Sequence, residues 1–178
     1  EREITGMKLG KLGVWAIPDT KPAPESAAFA QRVEKWGYSA MWLPEGGGRD
    51  AFVSSGWLLA NTKELILATG IATIYARDPL ATKCGQYALA ELSGNRFLLG
   101  AGVSHGPVVE GRGHGHTYEK PIPTMRAYLE SMRDGKYIGP PPSETPLTVV
   151  AALGPKMLEL SASHADGAHP YNVPPEHT

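Results

Sequence analysis

Arg96-Phe97-Leu98-Leu99-Gly100-Ala101-Gly102-Val103-Ser104-His105 reads as a buried parallel strand that ends on a polar pair. The apolar run Phe97 to Leu99 gives way to small residues, and a loop opens at Ser104 and His105. In α/β sheets, open or closed, ligands sit at the carboxyl ends of the strands. A histidine at that end is within reach of a ligand and exchanges a proton near neutral pH. His105 is therefore the first candidate catalytic residue. The competing reading is a loop histidine without a role.

Strands and helices alternate on both sides of this stretch. Upstream, Lys11 to Pro18 carries a strand pattern, and Pro24 to Trp36 places Ala27, Phe29, Ala30 and Val33 on one helical face before Gly37. Ser39 to Pro44 is a second apolar run that stops at Glu45. Asp50 to Asn61 is a second helix with Asp50 as N-cap. Leu65 to Ile74 is the third strand. Asp78-Pro79 pairs an N-cap with proline at the first helical position, opening a helix to about Leu92 that closes at Gly94. Downstream come a glycine- and histidine-rich loop, a helix near Pro123 to Met132, and a proline-rich connection from Lys136 to Pro146. A fifth strand (Leu147 to Leu153), a fifth helix (Lys156 to His164) and a short sixth strand (Gly167 to Val173) complete the pattern.

Strict β/α alternation with near-continuous apolar strands implies a parallel sheet buried on both faces. An open doubly wound sheet and a (β/α)8 barrel both satisfy that. No Gly-x-Gly-x-x-Gly turn follows the first strand; Pro18-Asp19-Thr20 stands there instead, which disfavours dinucleotide binding on a doubly wound sheet. A complete barrel takes about 250 residues, and this chain has 178. We therefore expect one α/β domain over residues 1–178, a TIM barrel truncated after about the sixth strand. Exposed strand edges on such a sheet favour association, so a homodimer is expected.

Composition excludes several function classes. Hydrophobic residues make up 42%, charged residues 20%, and the formal net charge is −1. No basic stripe marks a nucleic-acid surface, so none is expected as partner. No apolar run approaches the roughly 18 residues that span a bilayer, and no signal-peptide pattern is present, so neither membrane nor secretion is expected. The single cysteine, Cys84, forms no internal disulfide and suits a cytoplasmic setting. Its helical context predicts a packed thiol.

Further candidates fall at the other strand ends. Glu45, followed by Gly46-Gly47-Gly48, places a carboxylate where a backbone can approach a ligand closely. Thr69-Gly70-Ile71-Ala72 ends the third strand, and its Gly-Ile pair suits a backbone distortion under a flat ligand. Leu153-Gly154-Pro155-Lys156 opens a helix, where free N–H groups and a lysine suit a phosphate, less one donor for the proline. His114-Gly115-His116 is a His-x-His pair, but no acid or cysteine is spaced with it, so no metal is expected. His169 in the sixth strand is placed to face the mouth of the barrel.

These segments together carry a family resemblance. Trp42-Leu43-Pro44-Glu45, Thr69-Gly70-Ile71-Ala72, Tyr75-Ala76-Arg77-Asp78-Pro79, Gly94 to His105, Met125 to Leu129, Ala151 to Met157 and Ala165 to Pro170 occur in family order over almost the whole chain. The chain resembles the bacterial luciferase-like monooxygenase superfamily, and within it the coenzyme F420-dependent oxidoreductases. That resemblance implies a (β/α)8 barrel and hydride transfer between C5 of a deazaflavin and an organic substrate. It implies a non-proline cis peptide at Gly70–Ile71 behind the cofactor ring. Glu45, Thr69, Val103, Ser104 and His105 would lie near the ring, and Leu153, Gly154 and Lys156 near the cofactor phosphate. Glu45 and His105 are the implied catalytic pair, with His105 exchanging the proton. Two alternatives stay open: an FMN-dependent monooxygenase of the same superfamily, and a non-catalytic truncated barrel.

Overall fold

The computed structural model describes residues 6–113, 115–174 and 176. Seven strands form one parallel sheet: β1 (Gly13–Trp15), β2 (Ala40–Leu43), β3 (Ile66–Thr69), β4 (Ala72–Thr73), β5 (Phe97–Gly102), β6 (Thr148–Ala151) and β7 (Gly167–His169). The helices are α1 (Ala23–Lys35), α2 (Ala51–Ala60), α3 (Pro79–Ser93), α4 (Gly106–Glu110), α5 (Pro121–Asp134) and α6 (Pro155–His164). Sheet order follows chain order, β1-β2-β3-β5-β6-β7, with β4 also on β5. A doubly wound sheet reverses direction at its switch point. This one never does, which settles the architecture as the barrel type.

Rings from the two ends of the sheet meet across its concave face. Trp42 of β2 stacks on His169 of β7 with centroids 4.4 Å apart and planes 9° apart. Trp15 of β1 meets Tyr171 at 5.7 Å. The sheet is therefore curled into an open arc with helices on its outer side. Strands β3 and β4 are two halves of one stave, broken at a cis peptide between Gly70 and Ile71. The expected strand over Leu65 to Ile74 thus appears in two pieces.

The punctuation acts as the residue types dictate. The Asp50 carboxylate accepts the Phe52 and Val53 N–H groups at 2.8 and 2.9 Å, capping α2. Asp78 accepts the Ala81 N–H at 2.9 Å above Pro79. Gly94 ends α3 at φ 66°, the left-handed conformation that glycine adopts without penalty. Helix α4 escaped the sequence pattern, because at five residues between glycines it shows no period. The first strand contracts to three residues, since Pro18 begins a single 3-10 turn. Cys84 is half-buried in α3 as a free thiol. No helix among the described residues is long and apolar enough to cross a membrane.

β5 is the central stave, and all six of its residues are buried. Phe97, Leu99 and Ala101 pack outward into the core shared with the helices. Leu98 turns inward beside Ala40, Ile66 and Ala68. By alternation Gly100 and Gly102 continue that inward row. A Cβ at Gly100 would strike the Thr69 carbonyl oxygen and one at Gly102 the Ile71 side chain, so the β3–β4 stave closes over this row and space opens only beyond it, where the strands end.

Candidate active site

That space is a cleft of about 790 Å³ at the carboxyl ends of the strands. Gly70 and Ile71 lie in its floor; Val103, Ser104 and His105 form the wall after β5; Leu153, Gly154 and Lys156 form the wall after β6. Trp15, His169 and Tyr171 close the side where the sheet's ends approach each other. Val108, Pro121 and Ile122 add an apolar wall from α4 and the start of α5. The strand-end candidates read from sequence thus converge on one cavity, with a single exception. Thr69 is fully buried beneath the floor. Its hydroxyl donates to Gly100 O at 2.8 Å and accepts the Gly100 N–H at 2.9 Å. It stands in for ladder bonds where β3 breaks.

His105 is exposed on the cleft wall and caps α4 with its backbone, not its ring. Ser104, before it, holds φ 57°, a left-handed conformation uncommon outside glycine. The Tyr118 hydroxyl donates to Ser104 O at 3.4 Å, which helps hold that bend. The bend turns the chain from β5 into α4 and sets the imidazole on the wall.

Glu45 lines the same cleft, but its carboxylate has internal partners. It accepts the Thr73 N–H at 3.0 Å and the Ala51 N–H at 3.3 Å. Arg77 approaches both oxygens, Nη1 to Oε2 at 3.0 Å and Nη2 to Oε1 at 2.5 Å. Arg77 also pairs with Asp50 and lies 4.5 Å over the Phe52 ring. Burial opposes the charge on Arg77, yet its hydrogen bonds to Glu45 and Asp50 hold its pKa above the ordinary value. Burial likewise opposes the charge on Asp50, but the Val53 N–H and Arg77 outweigh it and lower its pKa. Sequence reading passed over Arg77, although the segment Tyr75 to Pro79 was marked as a motif. An arginine in the loop just before an N-cap carries no periodic signal.

His169 adds an unpartnered atom. Its Nε2 is buried without a hydrogen-bond partner among the described residues, 3.1 Å from where a Gly70 Cβ would stand. Trp15, 3.3 Å from the same Cβ position, donates its indole N–H to Gly70 O at 2.9 Å. Burial lowers the His169 pKa from its ordinary 6.5, so the folded protein holds it neutral. The unfolded chain takes up a proton near 6.5, and stability is lost as pH falls from there through the lower folded value. We expect His169→Gln to flatten that part of the pH–stability curve, measured by thermal melts from pH 7.5 to 5. An unchanged acid limb would contradict the assignment.

The start of α6 lies at the cleft, where Gly154, Pro155 and Lys156 line it. Pro155 has no N–H, and the N–H groups of Met157 and Leu158 turn back to Gly154 O at 3.0 Å each. Lys156, exposed in the first turn, lines the cleft and has a backbone N–H free of an intrahelical partner by position. No group of three or more metal-ligating side chains is assembled among the described residues. His114 and His177 lie outside those residues.

A curled parallel sheet with a cleft at its strand ends is the frame of the luciferase-like barrels, and the family's model matches residues 7–178. The chain belongs to the luciferase-like monooxygenase family. A putative coenzyme F420-dependent oxidoreductase of Mycobacterium tuberculosis is 34% identical over 129 residues, covering 72% of this chain and 36% of that protein. A 5,10-methylenetetrahydromethanopterin reductase of Archaeoglobus fulgidus is 28% identical over 175 residues, covering 88% and 52%. The chain spans between 36% and 52% of the length of these curated relatives. Among solved structures, the coenzyme F420-dependent tetrahydromethanopterin reductase of Methanopyrus kandleri superposes with a TM-score of 0.73 at 18% identity, over 89% of this chain and 55% of that one. An FMN complex of a type II Baeyer–Villiger monooxygenase from Pseudomonas putida gives 0.63 at 14% identity, over 83% and 54%. At those identities the likeness is one of fold.

Proposed function

We propose that the cleft binds coenzyme F420 and that the protein is an oxidoreductase passing a hydride between this deazaflavin and an organic substrate. The observation that carries the reading is convergence: the Gly70–Ile71 floor, the exposed His105 and the helix start at Lys156 share one cleft. Curated relatives named for F420 or for a reductase support the choice of cofactor. An FMN-dependent monooxygenase is the second reading, favoured by the fold's likeness to an FMN-bound structure.

The residues present fit such a cofactor. Ile71, Val103, Ala151 and Ala152 offer apolar surface to a planar ring, while Lys156 offers charge to a phosphate. Bound F420 supplies the hydride at C5; the protein supplies position and electrostatics. Gly70, without a Cβ, lets the Trp15 and His169 rings close on the floor, and Trp15 anchors that floor through Gly70 O. The imidazole of His105 exchanges the proton that accompanies hydride transfer. Leu153 and Gly154 shape the turn that presents Lys156.

Lys156→Met tests the phosphate end. A charge-assisted hydrogen bond is worth about 1.5–3 kcal/mol, so affinity should fall roughly ten- to hundredfold for the phosphate-bearing cofactor. A phosphate-free deazaflavin core should bind wild type and variant alike. Equal losses for both ligands would remove Lys156 from the phosphate site.

A further inference from the structure

Two groups on Glu45 straddle the cleft floor. Its backbone N–H donates to Ile71 O at 3.1 Å, and its carboxylate accepts the Thr73 N–H at 3.0 Å. One residue thus holds the segment Ile71 to Thr73 at both of its ends. The Glu45 side chain is 4% exposed and Arg77's is 14%, so the ion pair is largely screened from water. A guanidinium bound to both carboxylate oxygens fixes the orientation of the carboxylate plane. Arg77 is fixed in turn by Asp50 at the cap of α2, by the Phe52 ring beneath it, and by the Tyr128 hydroxyl, which donates to Arg77 O at 2.9 Å.

We propose that Arg77 is a positioning residue of this site: it turns the Glu45 carboxylate from a ligand-facing acid into a clamp on the Thr73 N–H that, with the Glu45 N–H on Ile71 O, fixes the Ile71–Thr73 segment beneath the cleft. The inference rests on the proposed cofactor reading for its meaning, but the clamp is a property of the chain itself. It divides the two acid–base candidates. Glu45 is committed to the scaffold, and His105 is left to carry proton exchange.

The test uses the whole chain and three variants. Arg77→Met leaves Glu45 charged and unpaired. The double variant Glu45→Met, Arg77→Met removes both charges together, so neither is left buried without its partner. Leu129→Ala, in α5, serves as a control that weakens packing away from the floor. Amide exchange at Thr73 is read against Leu99, whose N–H donates to Leu147 O in the sheet at 3.2 Å. In Arg77→Met and in the double variant, exchange at Thr73 should rise about tenfold relative to Leu99, the equivalent of one lost hydrogen bond. Leu129→Ala should leave that ratio unchanged. The double variant should bind F420 or FMN about tenfold more weakly, with a shifted absorbance of the bound cofactor.

A Thr73-to-Leu99 ratio that moves equally in Leu129→Ala, or not at all in either arginine variant, overturns the clamp. Wild-type affinity and spectrum in the double variant overturn its positioning role. If Arg77→Met does not fold, the double variant carries both readouts. Wild-type protein that binds neither cofactor defeats the cofactor reading alone, and the exchange ratio still decides the clamp.

Discussion

Gly100→Ala is expected to abolish the fold. A Cβ at position 100 would stand 2.0 Å from the carbonyl oxygen of Thr69 and 3.2 Å from its carbonyl carbon. Those are backbone atoms of a neighbouring stave, and neither can swing aside. β5 is held by β3 on one side and by β6 on the other, so the strand itself cannot retreat. The Thr69 hydroxyl adds two bonds at the same position, at 2.8 and 2.9 Å. Relief requires parting β3 from β5 in the middle of the core. The cost should exceed about 4 kcal/mol, a large share of the roughly 5–15 kcal/mol that holds a domain together. Far-UV circular dichroism and a thermal melt check this. A cooperative melt at the wild-type temperature would show that the Thr69 carbonyl does not sit over Gly100.

The second large effect falls on turnover. His105→Gln keeps a polar side chain of similar reach but cannot shuttle a proton as imidazole does. General acid–base catalysis contributes typically 10²–10⁴-fold, so kcat should fall by about that factor. Affinity for the cofactor should stay within roughly threefold, because His105 is exposed on the wall and holds up neither the floor nor the phosphate end. Glu45 is not expected to take over, since its carboxylate is bound to Thr73, Ala51 and Arg77. Steady-state kinetics alongside a cofactor titration separates the two quantities. Unchanged kcat would take His105 out of the chemistry.

Much of the architecture could be read from the chain because the punctuation is strong. Asp50, Asp78-Pro79 and Gly94 mark helix ends by bonds their own residue types dictate, and each forms as expected. β5 was legible because six consecutive buried positions read as an unbroken small-and-apolar run. The cleft-lining residues at the strand ends were legible for a topological reason: a parallel sheet delivers all its carboxyl ends to one side. What the sequence hid is pairwise. Nothing in the spacing of Glu45 and Arg77 announces an ion pair across 32 positions. Thr69 looks like a strand-end ligand from sequence and becomes a strut only once Gly100 is seen beside it. His169 meeting Trp42 across the barrel depends on the curl of the whole sheet, which no local window contains. Helix α4 is too short for periodicity to reveal, yet it brings Val108 to the cleft.

The most direct measurement is a parallel equilibrium titration of the purified chain with coenzyme F420 and with FMN, followed by cofactor fluorescence, in wild type and in Lys156→Met. The account predicts saturable binding of F420 that is tighter than FMN and weakened in the variant. Tighter binding of FMN would move the protein to the monooxygenase reading, and binding of neither by a folded chain would contradict a cofactor cleft altogether.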